Sequence, residues 1–95
     1  MRVLLKVSVP CEKGNSAIKD GSLPRTIQSF LETRKPEAAY FITEAGRRTM
    51  IAVLEIKASS EMPAIGEPFF ANLGADVTFT PAMNAEDLRA GLSAL

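Results

Sequence analysis

Four stretches of the chain have the apolar composition and alternation that are typical of β-strands. They are residues 1–9, 38–43, 49–57 and 75–80. The first stretch is rich in valine and leucine and stops at Pro10, while the last places Val77 and Phe79 on one face and polar side chains on the other. Residues 44–47 separate the second stretch from the third and include a glycine, so we predict a β-hairpin there.

Apolar residues recur at helical spacing in two longer segments. The first helix is predicted to start with Ser22 as its N-cap and to end before Pro36. The second is predicted to start at Ser59 or Ser60 and to end at Gly74, because glycine readily adopts the conformation that closes a helix. The apolar positions of the two helices are Leu23, Ile27, Phe30 and Leu31, and Met62, Ile65, Phe69 and Leu73, respectively.

Two shorter helical segments are also predicted. Within the connection formed by residues 11–21, Asn15 is expected to cap one helical turn that runs to Lys19. Near the end of the chain, Asn84 is followed three residues later by Asp87, a pattern that caps helices. The short helix predicted there carries its apolar residues at Leu88, Leu92 and Leu95.

The predicted order of elements is β-α-β-β-α-β with a helical tail, which is the split-βαβ or ferredoxin-like arrangement of an α+β fold. In this arrangement both helices cover one face of a four-stranded antiparallel sheet, and the first and third strands are central. Central strands should be the most apolar, and residues 1–9 and 49–57 are the longest aliphatic runs. A length of 95 residues suits one domain, to which we assign residues 1–95.

The sheet face that the helices leave uncovered is unusually apolar in this prediction. Alternation places the purely aliphatic sets of the two central strands toward the helices. The opposite face keeps Leu4, Lys6, Ile51, Val53 and Glu55. A solvated sheet face is normally more polar than this. We therefore predict that these five residues form a homodimer interface around a Lys6–Glu55 ion pair, with a partly apolar open face as the alternative.

Composition excludes several classes of function. Eleven basic and 11 acidic side chains give a formal net charge of zero, which argues against nucleic-acid binding and favours self-association. The chain has no histidine and one cysteine, Cys11, so histidine-dependent nucleophiles, haem and catalytic transition metals are not expected, and we predict no cofactor. Lys6 and Pro10 interrupt any signal-peptide core, and no charge-free stretch could span a membrane. We expect a cytoplasmic protein with no membrane partner.

Tyr40 and Glu67 are the candidate reactive groups. Tyr40 is the only tyrosine and lies on the second predicted strand, where its phenol is suited to hydrogen-bond a ligand carbonyl or to act as a general acid. Glu67 precedes Pro68 inside the second long helix, and a kink there is expected to aim the carboxylate at the cleft between helices and sheet. The alternatives are a tyrosine that packs at the edge of the core and a solvated glutamate.

Candidate anion-binding groups lie near the end of the first strand. They are Asn15 and Lys19, with the backbone amides of their connection, and Arg25 in the first turn of the main helix. The glycine spacing matches no phosphate-binding motif, so a plain surface connection is the alternative. Together with Tyr40 and Glu67, these residues predict a site for an anionic or carbonyl-bearing organic ligand.

The chain resembles the dimeric α+β barrel superfamily, in which two ferredoxin-like subunits join their sheets into one barrel. The resemblance covers nearly the whole chain in element order, and the segments EPFFANLGADVTFTPAMNAEDL (residues 67–88) and PEAAYF (residues 36–41) are similar to small uncharacterised bacterial members. The superfamily includes cofactor-free monooxygenases, muconolactone isomerases, haem-dependent enzymes and sensing modules. Its ligand pockets often lie between the helices and the sheet.

Three functions follow from this resemblance and these residues. The leading expectation is a small homodimeric protein that binds an organic ligand in the cleft between helices and sheet. The second is a cofactor-independent monooxygenase or isomerase, in which Tyr40 orients the substrate and Glu67 moves a proton. The third is a structural dimer without a ligand site. The sequence distinguishes none of the three, because it does not show whether the cleft is hollow.

Overall fold

A computed structural model describes residues 1–95 as a four-stranded sheet with four helices. The strands are β1 (Arg2–Val9), β2 (Ala38–Glu44), β3 (Arg47–Glu55) and β4 (Asp76–Pro81). The helices are α1 (Cys11–Lys19), α2 (Ser22–Arg34), α3 (Met62–Leu73) and α4 (Ala85–Ser93), and a 3₁₀ turn, Ser59–Glu61, precedes α3. None of these helices is both long enough and apolar enough to cross a membrane.

The sheet is antiparallel throughout and has the strand order β2-β3-β1-β4. This confirms the predicted α+β class, the β2–β3 hairpin and the central position of β1 and β3, and it is compatible with a ferredoxin-like fold. Between β2 and β3 the chain turns at Ala45 and Gly46, both of which have positive φ, at 52° and 76°. Two such residues in a row form the tight turn that suits the twist of a hairpin.

The core lies between the sheet and one layer of helices. Alternate residues of β1 and β3 are buried beneath α1, α2 and α3, as the alternation predicts. The buried hydrophobic residues of these strands are Val3, Leu5, Val7, Val9, Met50, Ala52 and Leu54, with Ile56 just after β3. Phe30 of α2 and Phe69 of α3 meet edge to face above this layer, with ring centroids 5.4 Å apart. This aromatic pair joins the two long helices at the centre of the core.

The connection after β1 differs from the prediction. Residues 11–19 form the nine-residue helix α1, so the expectation of a loop with one turn capped by Asn15 is wrong. Pro10 starts the helix with φ at −57°, and its carbonyl accepts a hydrogen bond from the Gly14 amide at 2.8 Å. Asn15 lies inside the helix rather than at its cap.

The ends of the other helices follow local hydrogen bonding. Ser22 is the first residue of α2 and not its N-cap, because Gly21 occupies that position and the Asp20 carboxylate accepts from the Ser22 amide at 2.8 Å. Hydrogen bonding to Ser22, through its side chain and through this amide, lowers the pKa of Asp20. The capping of α4 by Asn84 is confirmed, since its side chain accepts from the Asp87 amide at 2.8 Å. Helix α3 continues without a break through Pro68.

Candidate ligand-binding site

An apolar cleft of about 460 Å³ opens between the helices and the sheet near the β2–β3 turn. One wall consists of Ile18 from α1 and Leu23 and Ile27 from α2. The opposite wall consists of Phe41 from β2 and Met50 from β3. The cleft therefore lies in the layer where the sequence places a ligand, and it is lined mainly by hydrophobic side chains, as small-molecule sites usually are.

The cleft is open because the helices do not cover the edge strand. Met50 and Phe41 lie opposite each other on β3 and β2 and point to the same side of the sheet. Met50 is 4% exposed, whereas Phe41 is 55% exposed. The core thus ends between these two strands, and the side chains of β2 that face the helical layer remain accessible to a ligand.

Arg48 supplies the only cationic group that lines this cleft. It lies on the same face of β3 as Met50, and its side chain is half-buried. The Arg48 Nη2 atom donates a hydrogen bond to Asn15 Oδ1 in α1 at 2.9 Å. No carboxylate pairs with it, whereas the neighbouring Arg47, on the opposite face, pairs with Asp76 at 3.1 Å. Arg48 is therefore a positioned guanidinium without a counter-ion.

Gly14 makes room for this arginine. A Cβ atom added at Gly14 would lie 2.6 Å from Arg48 Nη1 and 3.3 Å from Val9 Cγ1, although Gly14 has an ordinary helical backbone. The absence of a side chain at Gly14 lets the guanidinium lie directly against α1. Asn15, the next residue, then fixes its orientation.

A guanidinium at the side of an apolar cleft is suited to the anionic end of an amphipathic molecule. Arginine donates in a planar fork that matches a carboxylate, and such charge-assisted hydrogen bonds are stronger than neutral ones. Thr43, which lies opposite Arg48 in the β2–β3 register, also lines the cleft. The arrangement therefore fits a ligand with an apolar body and one carboxylate or similar anionic group.

The anion-binding candidates from the sequence divide between two places. Asn15 contributes to the cleft indirectly, because it holds Arg48. Lys19 is exposed in the last turn of α1 and does not line the cleft. Arg25 lies in a separate groove between α2 and α3, and its Nη1 atom donates to the Asp20 carbonyl at 3.2 Å. The structure thus does not bring the three residues together.

The expected position of Tyr40 in the cleft is wrong. Tyr40 lies opposite Ile51, which in turn lies opposite Lys6, so its side chain is on the face of the sheet without helices. There it is 65% exposed. Glu67 is also exposed, but on α3 in the helical layer, and it lines neither groove. Because the sheet separates them, Tyr40 and Glu67 do not converge on one substrate.

The groove between α2 and α3, about 380 Å³ in volume, is more polar than the cleft. Its two arginines already have partners: Arg25 binds the Asp20 carbonyl, and Arg34 Nη1 lies 3.4 Å from Glu61 Oε1. Hydrogen bonds from the backbone amides of Lys57 and Ala58 lower the pKa of the Glu61 carboxyl, so it is charged at neutral pH and balances Arg34. This groove therefore lacks the free cation that the cleft has.

The face of the sheet without helices carries the predicted apolar residues but different ion pairs. Leu4, Ile51 and Val53 are half-buried there. The predicted Lys6–Glu55 pair is wrong, because Glu55 lies opposite Arg2 in the register and Lys6 lies opposite Ile51. Lys6 Nζ instead reaches across β3 to Glu44 Oε2 on β2 at 3.0 Å, and Glu55 Oε1 accepts from the Met1 amino group at 2.7 Å.

Arg48 is the candidate site residue that the sequence analysis misses, because it falls between the predicted turn at residues 44–47 and the predicted strand at residues 49–57. Its signal is the alternation itself: Arg48 has the same parity as Met50, Ala52 and Leu54, so a charged side chain lies on the core-facing side of a strand. A charge in such a position needs a partner or a ligand. No three acidic or cysteine side chains lie close enough together to hold a metal ion.

Comparison with known proteins adds no assignment, since no family model and no curated protein matches this sequence.

Proposed function

We propose that this protein binds a small amphipathic anion in the cleft between the helices and the sheet, with its apolar body between α2 and β2 and its anionic group on Arg48. The observation that carries the proposal is the half-buried Arg48 guanidinium, which is held by Asn15 and has no carboxylate partner. The surrounding aliphatic and aromatic wall supplies the hydrophobic contribution to binding.

The test compares two probes that differ only in the charged group. Decanoate and decanol have the same chain length, so titration calorimetry of both separates the role of charge from that of apolar burial. A hydrogen bond to a charged group contributes about 1.5–3 kcal/mol, so decanoate should bind about ten- to a hundredfold more tightly than decanol. The Arg48→Met variant should lose this difference and bind both probes alike.

Arg25→Met is the matched control. Arg25, like Arg48, donates one hydrogen bond through its guanidinium, but it lies in the groove between α2 and α3. This variant should leave both affinities within about twofold of the original protein. Equal binding of the two probes by the original protein, or an equal loss of decanoate affinity in both variants, would refute the assignment of Arg48. Absence of binding by either probe would refute the site and favour a structural role.

We also propose that two copies of the chain associate through the sheet face without helices, as subunits of a dimeric α+β barrel. The supporting observations are the half-buried aliphatic side chains of Leu4, Ile51 and Val53 in adjacent strands and the 65% exposed ring of Tyr40 beside them. Lys6 and Glu55, the last residue of β3, border these side chains. A formal net charge of zero means that the copies do not repel each other at long range.

Sedimentation at micromolar concentration should give about twice the chain mass of 10.2 kDa. Val53→Glu should shift the protein to the monomer, because it would bury an unpaired charge in the interface. Ala71→Glu is the control, since Ala71 is exposed on α3 in the opposite layer, and this variant should sediment as the original protein does. A persistent monomer in the original protein, or a dimer unaffected by Val53→Glu, would contradict the proposal.

A further inference from the structure

Helix α4 lacks any buried side chain of its own. All nine of its residues are exposed, and its apolar stripe includes Leu88 at 46% and Leu92 at 56% exposure. Leu95, which extends the stripe after the helix ends, is 99% exposed. By contrast, each of the other helices buries at least two residues against the core.

A helix of this length is not stable without packing. Isolated helices shorter than about 12–15 residues are marginal in water, and most helical stability in proteins comes from burial of an apolar face. The capping by Asn84 and Asp87 satisfies the first amides of α4 but covers none of its leucines. The sequence of α4 therefore supplies a cap and an amphipathic pattern, but no other element of the chain packs closely against its leucines.

The shape of the molecule agrees with a projecting element. The radius of gyration is 14.8 Å, whereas a compact domain of this length has about 12 Å. The extents of 51 × 27 × 17 Å describe an elongated body. Helix α4 follows the edge strand β4 and packs closely against no other element.

The start of α4 is joined to the sheet face without helices. Arg2 lies on that face, in register with Glu55, and its Nη1 atom donates to Asp87 Oδ2 in the first turn of α4 at 3.2 Å. The leucine stripe thus starts at Leu88, one residue from the contact that joins α4 to the proposed dimer interface.

The projected area of the sheet face is small for a stable dimer interface, and α4 would enlarge it. Four strands spaced about 4.8 Å apart, each about eight residues long at 3.3 Å per residue, present roughly 500 Å². A stable interface usually buries about 800 Å² on each partner. Three leucines that each bury about 60–120 Å² supply most of the difference.

We propose that α4 packs its leucine stripe against a second copy of this chain, over the β2 edge of that copy's sheet. This inference rests on the homodimer proposed above. When two such sheets pack face to face about a two-fold axis parallel to their strands, the β4 edge of one lies over the β2 edge of the other. The β2 edge exposes Tyr40 at 65% and Ile42 at 41% on the same face, which gives the stripe an apolar surface to cover.

The test uses two substitutions that add the same charge to the same helix. Leu92→Glu places it in the leucine stripe, and Ala90→Glu places it on the opposite side of α4. Sedimentation over a concentration series should show the dimer dissociation constant raised about tenfold or more by Leu92→Glu. Ala90→Glu should change it by less than about threefold. Because both positions are exposed within the chain, circular dichroism should show that both variants retain the sheet and core.

Tyr40 reports on where α4 binds. It is the only tyrosine in a chain without tryptophan, so its fluorescence can be followed directly. Quenching of Tyr40 by acrylamide should fall as the original protein dimerises. At concentrations at which both proteins are fully dimeric, quenching should be greater in Leu92→Glu, because its α4 no longer covers the β2 edge.

Each result separates this inference from the homodimer itself. A monomeric original protein would overturn both. A dimer with the same dissociation constant in Leu92→Glu and Ala90→Glu would overturn the role of α4 and leave the sheet-face dimer standing. A dimer that Leu92→Glu weakens without any change in Tyr40 quenching would overturn the β2 edge as the binding surface.

Discussion

The contact between Gly14 and Arg48 predicts an unusual response to a glycine-to-alanine substitution. Inside a helix this change normally stabilises a protein by about 1 kcal/mol. At Gly14 the new Cβ would lie 2.6 Å from Arg48 Nη1, so the guanidinium has to move and loses its hydrogen bond to Asn15. That bond contributes about 1 kcal/mol, so the two effects should cancel and Gly14→Ala should leave the free energy of unfolding nearly unchanged.

A double-mutant cycle isolates the effect of the arginine. In an Arg48→Ala background the only close neighbour left is Val9 Cγ1 at 3.3 Å, a contact that a small shift relieves. Gly14→Ala should therefore stabilise this background by about 1 kcal/mol. The free energies come from urea unfolding followed by circular dichroism, with all four proteins at one concentration because an associating protein gains stability by mass action.

The size of the coupling energy between Gly14→Ala and Arg48→Ala decides the outcome. A coupling energy near 1 kcal/mol would show that Arg48 occupies the space beside Gly14 in solution. If Gly14→Ala has the same effect in both backgrounds to within about 0.5 kcal/mol, the packing of Arg48 against α1 is refuted. Decanoate affinity should fall in Gly14→Ala as well, because the arginine that would bind the carboxylate is displaced.

Two further predictions concern the helical layer. Phe69→Ala should lower the free energy of unfolding by about 3–5 kcal/mol in a urea titration, since Phe69 is 1% exposed. Phe70→Ala is the control and should lower it by less than about 1 kcal/mol, because Phe70 is 47% exposed. Similar losses in the two variants would contradict the assignment of the core. The hydrogen bond from the Lys57 amide lowers the folded-state pKa of the Glu61 carboxyl. The charged carboxylate therefore contributes its full stabilisation above the unfolded pKa, and this stabilisation is lost as the pH falls below about 4.3. The urea midpoint of the original protein should therefore fall more steeply below that pH than the midpoint of Glu61→Gln, and equal slopes would show that Glu61 contributes nothing.

The sheet was predictable because its central strands alternate cleanly. Val3, Leu5 and Val7 share one parity in β1, and the aliphatic residues of β3 do the same, so burial on one face follows directly from the pattern. Helix α1 was not predictable in the same way, because Gly14 lowers helix propensity. The glycine is needed at position 14 because it leaves space for Arg48, a residue more than thirty positions away in the sequence.

The face on which Tyr40 lies follows from the register of the hairpin. Residues 38–42 are apolar at every position, so alternation within β2 does not identify a buried face. The two-residue turn at Ala45 and Gly46 does, because it pairs Glu44 with Arg47 and hence Tyr40 with Ile51. The turn was visible in the sequence, and counting back from it places Tyr40 on the face opposite the cleft. By contrast, the exposure of Phe41 depends on how far the helices extend over β2, and no pattern in the residues around Phe41 predicts this.

The central position of β1 has a consequence for the order in which the chain acquires structure during synthesis. Both neighbours of β1 are made later than it is, since β3 ends at Glu55 and β4 at Pro81. The aliphatic row of β1 therefore leaves the ribosome with no strand to pair with, while the β2–β3 hairpin is the first sheet segment able to form locally. The nascent protein has to carry an unpaired hydrophobic strand until β3 is complete, and in this interval the exposed aliphatic row is most prone to aggregate.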